Sequence, residues 1–206
     1  MNVTCSNIGK KYGRTWIFRG ISADLEANNI YGIVGINGSG KSTLLQIISG
    51  FVTPNEGEVI YDKGETTIES VFKKISISAP YLDLPSELTV EECIESQAQF
   101  KPFKAGFSSS ALLEEIELVA HRSKTLDQLS SGMRQRLKLG LAIFADSNLL
   151  LVDEPCANLD AKWSKWFETC LQSQCADRIV VISSNSQENE LRLVNKPLIN
   201  VSAYLH

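Results

Sequence analysis

The chain has 206 residues, a length that suits one domain with a real core and is marginal for two. Hydrophobic residues make up 43% and charged residues 21%, which excludes disordered, collagen-like and coiled-coil compositions. The net charge is -4, and no block of like charges breaks the pattern, which argues against direct nucleic-acid binding.

Only two histidines occur, His121 and His206, so histidine-triad and histidine-rich metal chemistry have little to work with. The five cysteines (Cys5, Cys93, Cys156, Cys170, Cys175) are scattered, lack Cys-x-x-Cys spacing and read as small buried apolar residues of a reducing compartment. No run approaches the ~18–20 apolar residues of a membrane span, and the opening residues lack the apolar core of a secretory signal. The expected location is the cytoplasm.

Ile30-Tyr31-Gly32-Ile33-Val34 is a short apolar run ending in glycine and predicts a buried strand. A loop, Gly35-Ile36-Asn37-Gly38-Ser39-Gly40, follows it. Leu44, Leu45, Ile47 and Ile48 then recur at helical spacing, with Gly50 as a stop. Gly57–Tyr61 and Ile75–Ser78 predict further strands. From about 84 to 147 the character is helical. Thr89-Val90-Glu91-Glu92 has the form of a capping box. Leu112, Leu113, Ile116 and Val119 predict one apolar face, and Met133, Leu137, Leu141 and Phe144 another. Leu149–Val152 and Ile179–Ile182 have the pattern of strands buried on both faces of a parallel sheet. Between them, Trp163, Trp166, Phe167, Cys170 and Leu171 share a helical face, which reads as core packing ahead of a partner surface. The fold class is α/β: a mostly parallel sheet, an N-terminal antiparallel β subdomain and a helical insertion, within one domain over 1–206.

The loop and the helix after it match the phosphate-binding pattern G-x-x-x-x-G-K-[ST], from Gly35 to Gly40, Lys41 and Ser42. Gly35, Gly38 and Gly40 let the backbone come close to phosphate oxygens; Asn37 and Ser39 lie between them. The helix N-terminus offers free N–H groups to an anion. Lys41 supplies a point charge for the β- and γ-phosphates and Ser42 a hydroxyl for Mg²⁺; Thr43 follows, and the resemblance below implies that it approaches the α-phosphate. Leu149–Val152 runs into Asp153-Glu154, an apolar strand ending in two carboxylates. Asp153 is placed to hold hydrated Mg²⁺ and Glu154 to polarise an attacking water, so a phosphate ligand with Mg²⁺ is expected; the resemblance below implies that this ligand is ATP.

With these elements in place, the chain resembles the ATPase subunits of ABC transporters over nearly its whole length. The discriminating segment is Leu129-Ser130-Ser131-Gly132-Met133-Arg134-Gln135-Arg136, similar to the family signature Leu-Ser-Gly-Gly-Gln, with Ser131 and Met133 as departures. The resemblance implies that Ser130, Ser131 and Gly132 face ATP held by an opposite subunit. It implies that Asp160, in a segment similar to the family's D-loop, crosses a dimer interface, and that Tyr12 stacks on adenine. It further implies a P-loop NTPase fold, a second ATPase subunit and a separate integral membrane subunit, with this chain peripheral at the inner face of the cell membrane. The compact length leaves little room for a C-terminal regulatory domain and suits exporter-like systems. A soluble non-transport ATPase, and a nucleotide-gated subunit with very slow hydrolysis, are the alternatives.

Two family side chains are absent. The position of the usual glutamine falls on Pro80 or Ala79, and no glutamine occurs between Gln46 and Gln97. Proline also stiffens the loop. The switch histidine is replaced by Asn185, which offers an amide but no charge. His121 lies in the helical insertion and His206 at the terminus, so neither substitutes. Loss of one electrostatic contact to a transferring phosphoryl group costs ~2.7–4 kcal/mol, which predicts slow hydrolysis.

Overall fold

The computed structural model describes residues 1–185 and 188–205 and divides the strands between two sheets. His206 lies outside the described residues. Strands β1 (Asn2–Tyr12), β2 (Thr15–Glu26) and β4 (Glu56–Tyr61) pair antiparallel in the order β2-β1-β4. Strands β3 (Asn29–Val34), β5 (Ile75–Ser78), β6 (Leu149–Asp153), β7 (Ile179–Ser184) and β8 (Ile199–Asn200) form the second sheet in the order β5-β6-β7-β3-β8. Every pairing in this second sheet is parallel.

The helices are α1 (Lys41–Ile48), α2 (Ile68–Val71), α3 (Val90–Phe100), α4 (Ser109–Glu115), α5 (Ser131–Phe144), α6 (Ala161–Gln174) and the single turn α7 (Glu188–Leu191). Among the described residues no helix is long and apolar enough to cross a membrane.

Side chains alternate across a strand, so each central strand serves two cores. Leu149 and Leu151 of β6, with Ile179 and Val181 of β7, face α1 and the antiparallel sheet. Leu150, Val152, Val180 and Ile182 face the other way, toward α3 to α6. The phosphate-binding loop is thus held between a strand buried on both faces and a helix whose Leu44, Leu45, Ile47 and Ile48 are fully buried.

Local signals explain most boundaries. Thr89 and Glu92 form a complete capping box at α3. Ser108, Ser130 and Asp160 each accept a backbone N–H at the start of α4, α5 and α6. The aromatic stripe of α6 is core: Trp163, Phe167, Cys170 and Leu171 are buried, and Trp166 is half-buried. Four cysteines are buried and Cys175 is half-buried, all as free thiols.

One expected contact fails. Val119 does not continue the apolar face of Leu112, Leu113 and Ile116, and is 49% exposed. Helix α4 ends at Glu115, and Glu117 takes a left-handed φ of 50°. That turn re-phases the chain, so Leu118 is the residue that enters the core.

Candidate active site

The loop after β3 depends on glycine for two physical reasons. Gly40 has a φ of 98°, and a Cβ there would lie 2.4 Å from Ile17 Cγ2 and 2.9 Å from Phe18 Cδ1 of β2. At Gly35 a Cβ would come within 2.5 Å of Ser39 Oγ. The antiparallel sheet therefore presses on the loop and fixes its path. Farther along the chain, Ser202 Oγ accepts the Ile36 N–H at 3.0 Å and braces the loop from the other side.

Helix α1 has no side-chain cap, unlike the capped helices α3 to α6, and no acidic residue in its first turn. Its first N–H groups and positive dipole end are left for an anion. A cleft of about 440 Å³ opens there, lined by Asn37, Gly38, Gly40, Lys41, Ser42 and Thr43 together with Ile17, Glu154 and Asn185. Four separate segments of the chain thus meet at the uncapped N-terminus of α1.

Lys41 is 5% exposed, and its Nζ donates to Gly35 O at 3.0 Å, to Ile36 O at 3.2 Å and to Asn185 Oδ1 at 2.5 Å. The other end of the same amide, Asn185 Nδ2, donates to Glu154 Oε1 at 2.5 Å. Asn185 therefore bridges the loop lysine and the candidate base. Glu154 leaves the end of β6 with a left-handed φ of 47°, and its N–H donates to Ser183 O of β7 at 2.9 Å. A non-glycine residue held in that region, where the chain turns off a strand, is a conformation that functional residues often adopt.

Asp153 is 3% exposed, and among the described residues its Oδ1 has no hydrogen-bond partner. A buried carboxylate oxygen without a partner is costly unless a cation or donor joins it. With the Ser42 hydroxyl lining the cleft, the donor set is hard oxygen, which suits Mg²⁺ better than a softer metal. Ser39 Oγ and Ser183 Oγ are also buried without hydrogen-bond partners among the described residues.

Other residues lie around this centre, and sequence reasoning did not identify them. Tyr81, directly after Pro80, hydrogen-bonds Gln46, which sits one turn beyond Ser42 on α1. Burial and the Asp153 carboxylate push the Tyr81 phenol up to about 12, with the Gln46 bond opposing. Glu190 is 2% exposed, and its carboxylate accepts the Cys156 N–H at 2.9 Å and the Ser184 hydroxyl. Burial raises its pKa, the two hydrogen bonds lower it, and Glu154 and Asp153 raise it further. Glu190 follows Glu188-Asn189 in a polar stretch, and only tertiary packing distinguishes it.

The remaining expected residues lie elsewhere. Tyr12 is 54% exposed, carries Lys10 Nζ 5.3 Å over its ring and does not line the phosphate cleft; Ile17 does. Ser131 and Asn158 line a second cleft of about 580 Å³, with Pro80, Arg134, Gln135 and Glu154 also in its wall. Glu154 is thus shared by both clefts. Within this chain the Ser130 hydroxyl oxygen accepts the Met133 N–H at 3.2 Å, and Asp160 Oδ1 accepts the Trp163 N–H at 3.0 Å. Gly132 packs so that a Cβ would lie 3.1 Å from Asn158 O, and Gln135 Nε2 donates to Pro155 O at 2.9 Å. The helix that opens at Ser130 is therefore tied to the segment after Glu154.

A family model described as ABC transporter matches residues 18–157. The chain is 28% identical over 205 residues to the sulfate/thiosulfate import ATP-binding protein CysA of Thermosynechococcus vestitus, covering 97% of this chain and 61% of that protein. It is also 28% identical over 190 residues to the phosphonates import ATP-binding protein PhnC of Wolinella succinogenes, covering 84% and 69%. The chain spans 61% and 57% of the first two curated relatives it matches. Among solved structures, the ATP-binding subunit of an ABC transporter superposes with a TM-score of 0.82 at 21% identity, covering 95% of this chain and 84% of the other. The dimeric structure of MJ0796, a bacterial ABC transporter cassette, gives 0.76 at 23%, covering 91% and 90%. These structural likenesses establish the P-loop ATPase fold. The matched span covers the loop at Gly35, the helical insertion, the Ser130 segment and the Asp153-Glu154 strand end, and the chain belongs to the ABC transporter family as an ATP-binding domain.

Proposed function

We propose that this chain binds Mg-ATP at the α1 cleft, closes head to tail on a second ATPase subunit and hydrolyses ATP to drive translocation through a separate integral membrane subunit. The observation that carries this reading is the convergence of Lys41, Ser42, Glu154 and Asn185 on the uncapped N-terminus of α1. The backbone of Asn37, Gly38 and Gly40 and the Lys41 ammonium would cradle the phosphates, with Ser39 and Thr43 alongside. Ser42 and Asp153 would hold Mg²⁺, which when bound neutralises phosphate charge.

Glu154 takes the proton of the attacking water as that water's oxygen bonds the γ-phosphorus and the bond to the β-phosphate oxygen breaks. Asn185 orients Glu154 and Lys41 through its single amide. Ser130, Ser131 and Gly132 would face the ATP held by the other subunit, and Asp160 would approach the interface. Tyr12 would stack on the adenine outside the phosphate cleft. Asn185 favours slow turnover, because an amide cannot become a cation as charge builds on the phosphoryl group.

A membrane partner finds support in an apolar groove of about 230 Å³ beside the Pro80 loop, lined by Gln46, Ser49, Phe51, Phe72, Ile77 and Tyr81. Phe51 is 79% exposed and Phe72 62%, which is unusual for large apolar side chains clustered around a groove. Such a partner would place the chain at the cytoplasmic face of the membrane. The test is steady-state and single-turnover hydrolysis by the purified chain, alone and with the membrane protein that co-purifies with it. Slow Mg-dependent turnover that Glu154→Gln abolishes is expected; turnover untouched by Glu154→Gln overturns the assignment of the base.

A further inference from the structure

We propose that Glu190 is a positioning residue that ties the segment after Glu154 to the end of β7, so that the base and the residue at position 185 move as one unit. The proposal rests on the ATPase reading above. A carboxylate is almost never fully buried unless it is well partnered, and Glu190 is 2% exposed. Among the described residues no lysine or arginine forms an ion pair with it. Its partners are the Cys156 N–H on Oε1 and the Ser184 hydroxyl on Oε2. The buried carboxyl group thus joins two short segments, each close in sequence to a residue of the α1 cleft.

The choice of partner on the first segment follows from backbone chemistry. Pro155 has no N–H, so Cys156 carries the first free donor after Glu154. The Ala157 N–H turns inward to Glu154 O at 3.1 Å. The segment's outward anchors toward β7 are therefore the Glu154 N–H, held by Ser183 O, and the Cys156 N–H, held by Glu190. On the second segment, Ser184 immediately precedes Asn185, whose amide spans Lys41 and Glu154. The opposite side of the first segment is gripped by Gln135 of α5 through Pro155 O, with Gly132 packed close to Asn158 O. A displacement of α5 reaches Pro155, and Glu190 passes it to β7 and so to position 185. Without Glu190 the side-chain link from the Cys156 N–H to the Ser184 hydroxyl is lost, while the β6–β7 pairing, the Glu154–Ser183 bond and the Asn185 amide remain.

The experiment uses the full chain with Glu190→Ala and Glu190→Gln, the latter keeping an acceptor for Cys156 and a donor for Ser184. Two readouts are taken: amide hydrogen exchange across 154–158 without nucleotide, and ATPase kinetics split into kcat and KM. For Glu190→Ala the expected result is faster exchange at Cys156 and a kcat at least about tenfold lower, with KM within about twofold. Glu190→Gln is expected to restore both. If Glu190→Ala does not fold, Glu190→Asp, whose shorter side chain cannot span both partners, takes its place with the same expectation. Unchanged Cys156 exchange, an unchanged kcat, or equal losses of kcat and KM in the alanine and glutamine variants overturns the proposal. Absence of any turnover in the wild-type chain would count against the ATPase reading, and the nucleotide-free exchange data would still decide the role of Glu190.

Discussion

Asn185→Ala separates what the bridging amide does before ATP arrives from what it does during turnover. Lys41 Nζ donates to three acceptors, Gly35 O, Ile36 O and Asn185 Oδ1. Asn185 supplies the side-chain acceptor of that set, and a side chain can rotate away, so incoming phosphate oxygens displace its amide rather than the loop carbonyls. Hydrogen bonds to charged groups reach ~1.5–3 kcal/mol, but water competes at an exposed amide, so about 1 kcal/mol per bond is the fair value. Removing the amide relieves about 1 kcal/mol of competition, and Mg-ATP affinity should rise about fivefold. The second bond, from Nδ2 to Glu154 Oε1, is needed to hold the base, and its loss should lower kcat about five- to tenfold. Calorimetric titration with a non-hydrolysable ATP analogue reads the first effect, and single-turnover hydrolysis the second. Weaker nucleotide binding together with unchanged turnover would refute the bridge in both roles.

Gly40→Ala must place a Cβ 2.4 Å from Ile17 at a φ of 98°; nucleotide affinity should fall more than about tenfold while the fold is kept, and titration plus circular dichroism checks both. Arg178 is buried, and its Nη2 donates to Ile143 O at 2.7 Å and Ala145 O at 3.0 Å at the end of α5; burial brings its pKa down to about 10. Arg178→Ala leaves two carbonyls without donors and a cavity, and urea unfolding should register a loss of about 3 kcal/mol. Burial pushes the Asp62 carboxyl up, but hydrogen bonds from Lys74, Thr66 and the Asn2 N–H outweigh it and hold the pKa at about 2, below the ordinary 3.8. A depressed pKa stabilises the fold above about 3.8, and that stability is lost as pH falls through about 2. Asp62→Asn should therefore lower Tm at pH 7, with the difference closing in acid.

The phosphate loop, the strand ends and the helix starts were legible because each depends on local chemistry. Glycine spacing, a Thr-x-x-Glu box and short apolar runs carry their structural meaning within a few residues. The failure at Val119 was of another kind: a left-handed Glu117 carries no composition signal, since nothing local distinguishes it from a helical glutamate. Glu190 and Tyr81 were invisible for a tertiary reason. Their roles arise where strands far apart in sequence lie in register, Ser78 beside Val152 and Asp153 beside Ser183. The substitution at 185 could be read from the sequence, but not its geometry, because a single amide reaching two charged residues at once depends on how the ends of three strands are stacked.

That geometry bears on why asparagine can stand at a position where the family resemblance leads one to expect histidine. The bridge needs an acceptor toward Lys41 and a donor toward Glu154 at the same time, and a carboxamide has both in every state. A neutral imidazole meets the same demand in one tautomer only, and a protonated one loses the acceptor that faces Lys41. Asparagine thus holds the resting arrangement more steadily across pH than histidine could. It gives up the ability to place positive charge on the transferring phosphoryl group, a contribution of ~2.7–4 kcal/mol at comparable sites. Pro80, in the wall of the second cleft that shares Glu154, stiffens its own loop without offering a backbone donor there. Both substitutions favour a firmly held site over a fast one, so the slow step expected of this chain is phosphoryl transfer rather than nucleotide capture.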